Sequence, residues 1–184
     1  MRKLLNSELG RKSVDQFRIS EKSPFVVVLD NVRSHNNVGS IFRTADAFLT
    51  QRIYLCGITA RPPHRDIQKT ALGATESVEW VYFQSTSEAV KELKEDGCKI
   101  IGIEQAEGSV ELGEFNPEYG VRYALVFGNE VNGVSQEVLD LCDYCIEIPQ
   151  FGTKHSFNIA VSAGIVLWEL NQHLSPTPLP SQSL

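Results

Sequence analysis

Apolar runs recur along the chain and alternate between strand length and helix length. Phe25-Val-Val-Val-Leu29 is unbroken and mostly β-branched, the pattern of a strand buried on both faces. Asn37 to Phe48 places Val38, Ile41, Ala45 and Phe48 at helical spacing. Arg52-Ile-Tyr-Leu-Cys56 reads as the next strand, closed by Gly57, and Val78 to Phe83 as a third. Ser87 to Glu95 follows as an exposed helix, then Lys99 to Ile103 as the fourth strand. Arg122 to Phe127 reads as a fifth strand, ending at Gly128, with a short helix from Ser135. Tyr144 to Ile148 is the last strand, stopped by Pro149, and a helix spans Ser156 to Asn171. Strands separated by helices imply right-handed crossovers and a mostly parallel α/β sheet flanked by helices. Ligands of such sheets bind beyond the carboxyl ends of the strands. The residues to watch are therefore 30–37, 57–65, 104–108, 128–135 and 149–158.

Two ends fall outside this pattern. Residues 1–23 are polar and basic and read as one short helix plus a linker. Residues 175–184 carry three prolines and no charge, and read as a flexible tail. The domain is expected over 24–174. At 184 residues the chain suits one domain, and no apolar run approaches the ~20 residues that span a bilayer. The N-terminus has no apolar core of a secretory signal, and four cysteines then suggest reduced thiols in the cytoplasm.

Charge changes the picture. The net charge is −6, which speaks against a polyanionic partner. Residues 1–75, however, carry 12 Lys and Arg against 6 Asp and Glu, and the rest carry 5 against 17. A basic half can meet nucleic acid while the acidic half faces away, although ordinary soluble surfaces also show such asymmetry.

The strand ends hold the chemistry-bearing side chains. Asn36 or Asn37 suits a helix cap, and Arg43 either reaches solvent or pairs with Asp46. Gly128-Asn-Glu-Val-Asn-Gly133 is neither a Walker loop nor a dinucleotide fingerprint. Glu130 is a functional carboxylate or a helix-start acid. Ser156 and Asn158 suit capping of the last helix, with Lys154 and His155 adding positive charge. Cys142-x-x-Cys145 has no second pair, and the four histidines lack metal spacing, so no metal is expected.

Together and in order, three segments resemble the motifs of the SpoU/TrmH family of SPOUT-class RNA 2′-O-ribose methyltransferases. They are Asn37-x-Gly-x-x-x-Arg43-Thr-Ala-Asp-Ala, Val126-Phe-Gly-Asn-Glu130-x-x-Gly-Val-Ser135, and Ile148-Pro-x-x-Gly152-x-x-x-Ser156-Phe-Asn158-Ile-Ala-Val-Ser. The resemblance covers about residues 25–172. It implies a C-terminal trefoil knot, S-adenosylmethionine bound in the knot, a homodimer with the active site near the subunit interface, and tRNA or rRNA as substrate. By motif position, Gly128, Ile148 and Phe157, with Ile103 and Glu104, contact the cofactor. Asn37, Arg43, Glu130, Ser156 and Asn158 form the catalytic group. Within it Arg43 orients the ribose hydroxyl or acts as its base, and Glu130 orders its loop or pairs with Arg43.

The chain departs from the family at Phe157, where Leu is usual, and at Ala160, where Ser is common. Many relatives carry an additional N-terminal RNA-binding domain, where this chain has residues 1–23. RNA capture is then expected from Arg33, His35, Arg61, His64, Arg65, Lys69, Lys154 and His155, with Arg11, Lys12 and Arg18. Two rivals are a non-catalytic RNA-binding dimer of the same fold and a flavodoxin-like nucleotide-binding protein.

Overall fold

A computed structural model describes residues 1–174, and the tail expected over 175–184 lies outside them. Seven strands form one sheet: β1 (Ser23–Asp30), β2 (Thr50–Cys56), β3 (Trp80–Phe83), β4 (Lys99–Ile103), β5 (Val110–Glu111), β6 (Tyr123–Phe127) and β7 (Tyr144–Glu147). Their spatial order is β3-β2-β1-β6-β4-β7-β5, and every pairing is parallel. The helices are α1 (Val14–Ile19), α2 (His35–Ala47), α3 (Arg65–Ala71), α4 (Ala74–Ser77), α5 (Thr86–Glu95), α6 (Gln136–Leu139) and α7 (Ile159–Leu174).

The unbroken apolar run of β1 is explained by its central place. Phe25, Val27 and Leu29 enter one core with α2 and α7 residues such as Ile41, Phe42 and Leu167. Val26 and Val28 enter a second core on the other face, with Val90 and Leu93 of α5. A strand turns alternate side chains to opposite faces, so burial on both faces leaves no polar position. Pro24 sits where the β1–β2 register shifts, a place that needs no ladder donor.

Several boundaries differ from expectation. Ser34 caps α2, accepting from the Asn37 N–H at 3.3 Å, so neither Asn36 nor Asn37 serves as cap. The last helix begins at Ile159, not Ser156. The Asn158 side chain accepts the Ala160 N–H at 2.9 Å and ends the loop there. The segment before β3 is helical as α4, which delays the strand to Trp80. Helix α3 and strand β5 were not expected. The first carries only Ile67 and Ala71 as buried residues, and the second is two exposed residues long.

Helix α3 explains one motif glycine. A Cβ on Gly39 would come within 2.1 Å of Thr70 Oγ1 and 2.3 Å of the Ile67 carbonyl oxygen. Gly39 therefore lets α2 and α3 touch backbone to backbone. At the N-terminus, the Ser13–Gln16 capping box starts α1, whose Phe17 is buried in the first core. The basic segment is thus tied to the domain by the buried Phe17 ring and by the Arg18 guanidinium, which donates to the Glu76 carbonyl.

Register sets one crossing. Ile103 at the end of β4 lies level with Ile146 of β7, and Val110 at the start of β5 pairs with that same residue. The intervening residues 104–109 must carry the chain from one side of β7 to the other.

Candidate cofactor and substrate site

The neighbouring parallel strands β1, β6, β4 and β7 all end on the side of the sheet where this crossing runs. Their loops are fixed by buried or half-buried carboxylates, not by glycines alone. Asp30 is 2% exposed and accepts from Thr86 Oγ1, Asn31 Nδ2 and the Ser135 N–H. It ties β1 to α5 and to the start of α6. Glu104 accepts the Val134 N–H at 3.0 Å and the Gln105 N–H at 2.9 Å. Asn129 closes a tight turn, exchanging two backbone hydrogen bonds with Gly133 at 2.9 Å each. Its amide nitrogen donates to the Asn31 carbonyl, and its amide oxygen accepts from the Val131 and Asn132 N–H groups. Asp30 and Asn129 fall in the segments expected to hold the site, but neither was expected to carry a role in it. The signal for Asp30 was available: a carboxylate directly after a run of apolar strand residues.

Glu130 stands at the tip of this turn and joins all three motifs. It accepts the Arg33 and Ser34 N–H groups at 3.2 and 3.1 Å, and Asn37 Nδ2 at 3.2 Å. Asn37 Oδ1 in turn accepts from Asn158 Nδ2 at 3.1 Å. A carboxylate only accepts, so Asn37 must turn its nitrogen to Glu130 and its oxygen to Asn158. Partial burial alone would push the Glu130 carboxyl up. The hydrogen bonds from its own N–H, Arg33, Ser34 and Asn37 outweigh that and hold it below the ordinary range.

The sign of the pH effect follows. A depressed folded pKa gives stability that is present above the unfolded value and lost as pH falls through the folded one. Acid is therefore expected to loosen this turn once pH drops below 4.5. Melting curves of wild type and Glu130→Gln should diverge above that pH and converge below it. Parallel curves at all pH values would mean the carboxylate charge contributes nothing.

A cavity of about 580 Å³ opens beside this chain of hydrogen bonds. Ile103, Glu104, Gly128, Ile148 and Phe157, the expected cofactor contacts, all line it. So do Glu130, Ser156 and Asn158. Its walls are apolar at Ile103, Phe127, Ile148 and Phe157 and polar at the backbone of 128–133. A Cβ on Gly128 would lie 2.0 Å from the Gly133 carbonyl carbon and the Val134 nitrogen, so the chain passes here with no room for a side chain.

Arg43 is elsewhere. It lies six residues after Asn37, roughly 9 Å along the helix and about 240° around it. Exposed, it lines a different hollow of about 480 Å³, to which Arg11 and Lys12 also contribute. It makes no hydrogen bond or ion pair with any described residue. Of its two local readings, Arg43 reaches solvent and does not pair with Asp46, whose carboxylate accepts the Ser77 hydroxyl. Pairing with Glu130 is absent too, and Glu130 orders its loop instead.

Of the expected RNA cations, His155 lines the first cavity and Arg11 and Lys12 line the second hollow, while the others sit on loops and helices around them. The His35 and His64 rings lie 3.8 Å apart between centroids at a tilt of 33°, and their chain neighbours Arg33 and Arg65 are exposed. Arg61 lies over the Tyr82 ring at 4.2 Å. Lys69 is exposed on α3, and Lys154 and His155 are exposed on the loop bordering the cavity. The Arg18 guanidinium is used within the fold, donating to the Glu76 carbonyl at 2.7 Å. Cys142 and Cys145 are free thiols. Burial pushes both up, Cys142 to about 11, the reverse of what a metal or redox thiolate needs.

A parallel sheet with a cavity at its carboxyl edge, closed by three hydrogen-bonded motifs, defines a ligand-binding α/β domain. The chain belongs to the SpoU rRNA Methylase family, whose model matches residues 24–168. It is 34% identical over 147 residues to the 23S rRNA (guanosine-2′-O-)-methyltransferase RlmB of Neisseria meningitidis, covering 79% of this chain and 57% of that protein. Among solved structures, the AdoMet-bound rRNA methyltransferase from Sinorhizobium meliloti superposes with a TM-score of 0.77 at 28% identity, over 83% of this chain and 57% of that one. The A. aeolicus TrmH/SpoU tRNA modifying enzyme gives 0.77 at 26% identity, over 87% and 81%. The chain spans less than two thirds of the length of the curated relatives it matches. The fold is therefore of the SPOUT methyltransferase type, and the flavodoxin-like alternative gives way.

Proposed function

We propose that this protein is an S-adenosylmethionine-dependent methyltransferase acting on a ribose 2′-hydroxyl of tRNA or rRNA. The observation that carries the reading is the Glu130–Asn37–Asn158 chain at the mouth of the 580 Å³ cavity. It binds three motifs, distant in sequence, into one rigid rim.

The cavity suits the cofactor. Ile103, Ile148 and Phe157 offer apolar walls for an adenine ring, and Gly128 leaves the backbone open to close approach. When bound, S-adenosylmethionine supplies an activated methyl electrophile. The chain's own task is to hold the hydroxyl in line and manage its proton. Asn37, Ser156 and Asn158 fix the ribose and the rim. Arg43 grips the neighbouring phosphate and orients the hydroxyl, a role that suits a planar fork of donors better than proton abstraction does.

Arg43 and the cavity lie in different places on one chain, so we take the working unit to be a homodimer. Support comes from α7, where Val161 (49% exposed) and Trp168 (51% exposed) form an apolar stripe with Ile165. A second copy covering that stripe would bring an Arg43 to the other cavity. The trefoil knot belongs to the same reading, supported by the passage of 104–109 across β7. We assign the work to the cytoplasm. All four cysteines are free, and no described helix is long and apolar enough to cross a membrane.

The deciding experiment is transfer of labelled methyl from S-adenosylmethionine to tRNA and to rRNA. Label should enter one class at ribose 2′-oxygens. Cofactor binding without transfer to either would favour the RNA-binding dimer. Because exposed cations on several elements grip phosphates, RNA affinity should fall more than about tenfold between ~50 and ~200 mM salt. A filter-binding series that stays flat would refute the cationic surface.

A further inference from the structure

The turn 129–133 is a partition. One side of it walls the cofactor cavity, and the other walls a second cavity of about 340 Å³. Asn129, Val131, Asn132 and Gly133 line both. The second cavity is completed by Arg33 after β1 and Ile58 after β2. Two aliphatic side chains are held in the open at this one place: Ile58 is 65% exposed and Val131 76%. Nothing in the core requires either of them.

The polar groups here sort into used and unused. Asp30, Asn31 and Asn129, which form the floor, spend their side chains on the loop network. The side chains of Asn132 and Arg33 make no hydrogen bond to any described residue, though both line the cavity. Arg33 uses only its backbone N–H, and uses it on Glu130. The cavity therefore stands one loop's width from the motif rim. It offers aliphatic surface for a flat apolar face, one amide with donor and acceptor, and one guanidinium.

We infer that this cavity receives an unstacked nucleobase of the RNA, from a nucleotide flanking the methylated ribose. Proteins that act on single-stranded or looped RNA splay bases out, pack their faces on side chains and read their edges with amides and arginines. Ile58 and Val131 hold the base face, Asn132 reads its edge, and Arg33 meets the edge or the adjoining phosphate. The inference rests on the methyltransferase reading and gives it a specificity element: a site outside the reacting centre that selects which ribose is presented.

The test uses the full chain with isoleucine methyl groups labelled for NMR and saturated with S-adenosylhomocysteine, so that no nucleotide enters the cofactor cavity. Bulk tRNA and rRNA, then single 5′-nucleoside monophosphates, are titrated in. The Ile58 methyl signal should move and saturate. Ile58→Asp should weaken RNA binding and raise the RNA KM about tenfold, leaving kcat, cofactor affinity and melting temperature as in wild type. Ile58→Leu should behave as wild type. An Ile58 signal that stays still while RNA binds, with Ile58→Asp neutral, would overturn the assignment. Loss of cofactor binding or early melting in Ile58→Asp would also overturn it, by showing a structural role. If wild type binds neither S-adenosylhomocysteine nor RNA, the methyltransferase reading itself fails and the base site falls with it.

Discussion

Replacing Arg43 by alanine is expected to lower methyl transfer by about a hundredfold or more while leaving the fold and the cofactor cavity as they are. The size follows from positioning, since losing the group that aligns a reacting hydroxyl costs about a hundredfold. The selectivity follows from where Arg43 sits. It is exposed, makes no bond to any described residue, and lines a hollow that shares no residue with the cofactor cavity. Its loss should change stability by no more than about 0.5 kcal/mol. Calorimetry with S-adenosylhomocysteine should give the wild-type affinity. Arg43→Lys separates the two roles open to this residue. A lysine keeps the charge without the fork and titrates lower, so a base role would shift the pH–rate profile of the variant, whereas an orienting role lowers transfer without moving the profile. Normal turnover in Arg43→Ala would remove this residue from the reaction altogether.

The second large effect is structural. In Gly128→Ala the new methyl group would lie 2.0 Å from two backbone atoms of residues 133 and 134. Those atoms cannot rotate away as a side chain would. Gly133 is bound twice to Asn129, and the Val134 N–H is bound to Glu104. Relief of the clash must break some of these bonds and displace the wall of the cavity. Overpacking of this kind costs about 3 kcal/mol. For a domain of this size that lowers the melting temperature by about 10 °C. Cofactor binding should fall with it, because the moved backbone is the cavity wall. A variant that melts and binds like wild type would show that the turn is far softer than its hydrogen bonds imply.

The two effects differ in how far the sequence foretold them. Strands β1, β4 and β6 were legible because burial on both faces erases alternation and leaves runs that only a central parallel strand carries. Short elements were not. Two buried residues in α3 make no periodic signal, and β5 is two exposed residues whose only reason to be extended is β7 beside it.

Among the site residues, Glu130, Asn37 and Asn158 could each be singled out, but their union could not. The hydrogen bonds joining them span 93 and 121 residues of sequence. The Ser34-His-Asn-Asn37 stretch offered several cap residues. The choice of Ser34 matters, because it frees the Asn37 amide to reach Glu130. Arg43 illustrates the opposite limit. Its motif was clear, and the six-residue spacing already turns it about 240° from Asn37; what the sequence could not show is that the cavity lies on the Asn37 side.

Strand β7 comes last along the chain but belongs between β4 and β5. On a ribosome, β4 is finished about forty residues before the strand that covers its outer edge. At ordinary synthesis rates that leaves the edge open for roughly two to eight seconds. An open edge is a template for any passing strand. The stretch made during that wait carries Glu104, Glu107, Glu111, Glu114 and Glu118, with no lysine or arginine before Arg122. The stretch that follows β4 is therefore wholly acidic in its charged side chains during the interval before the slot is filled.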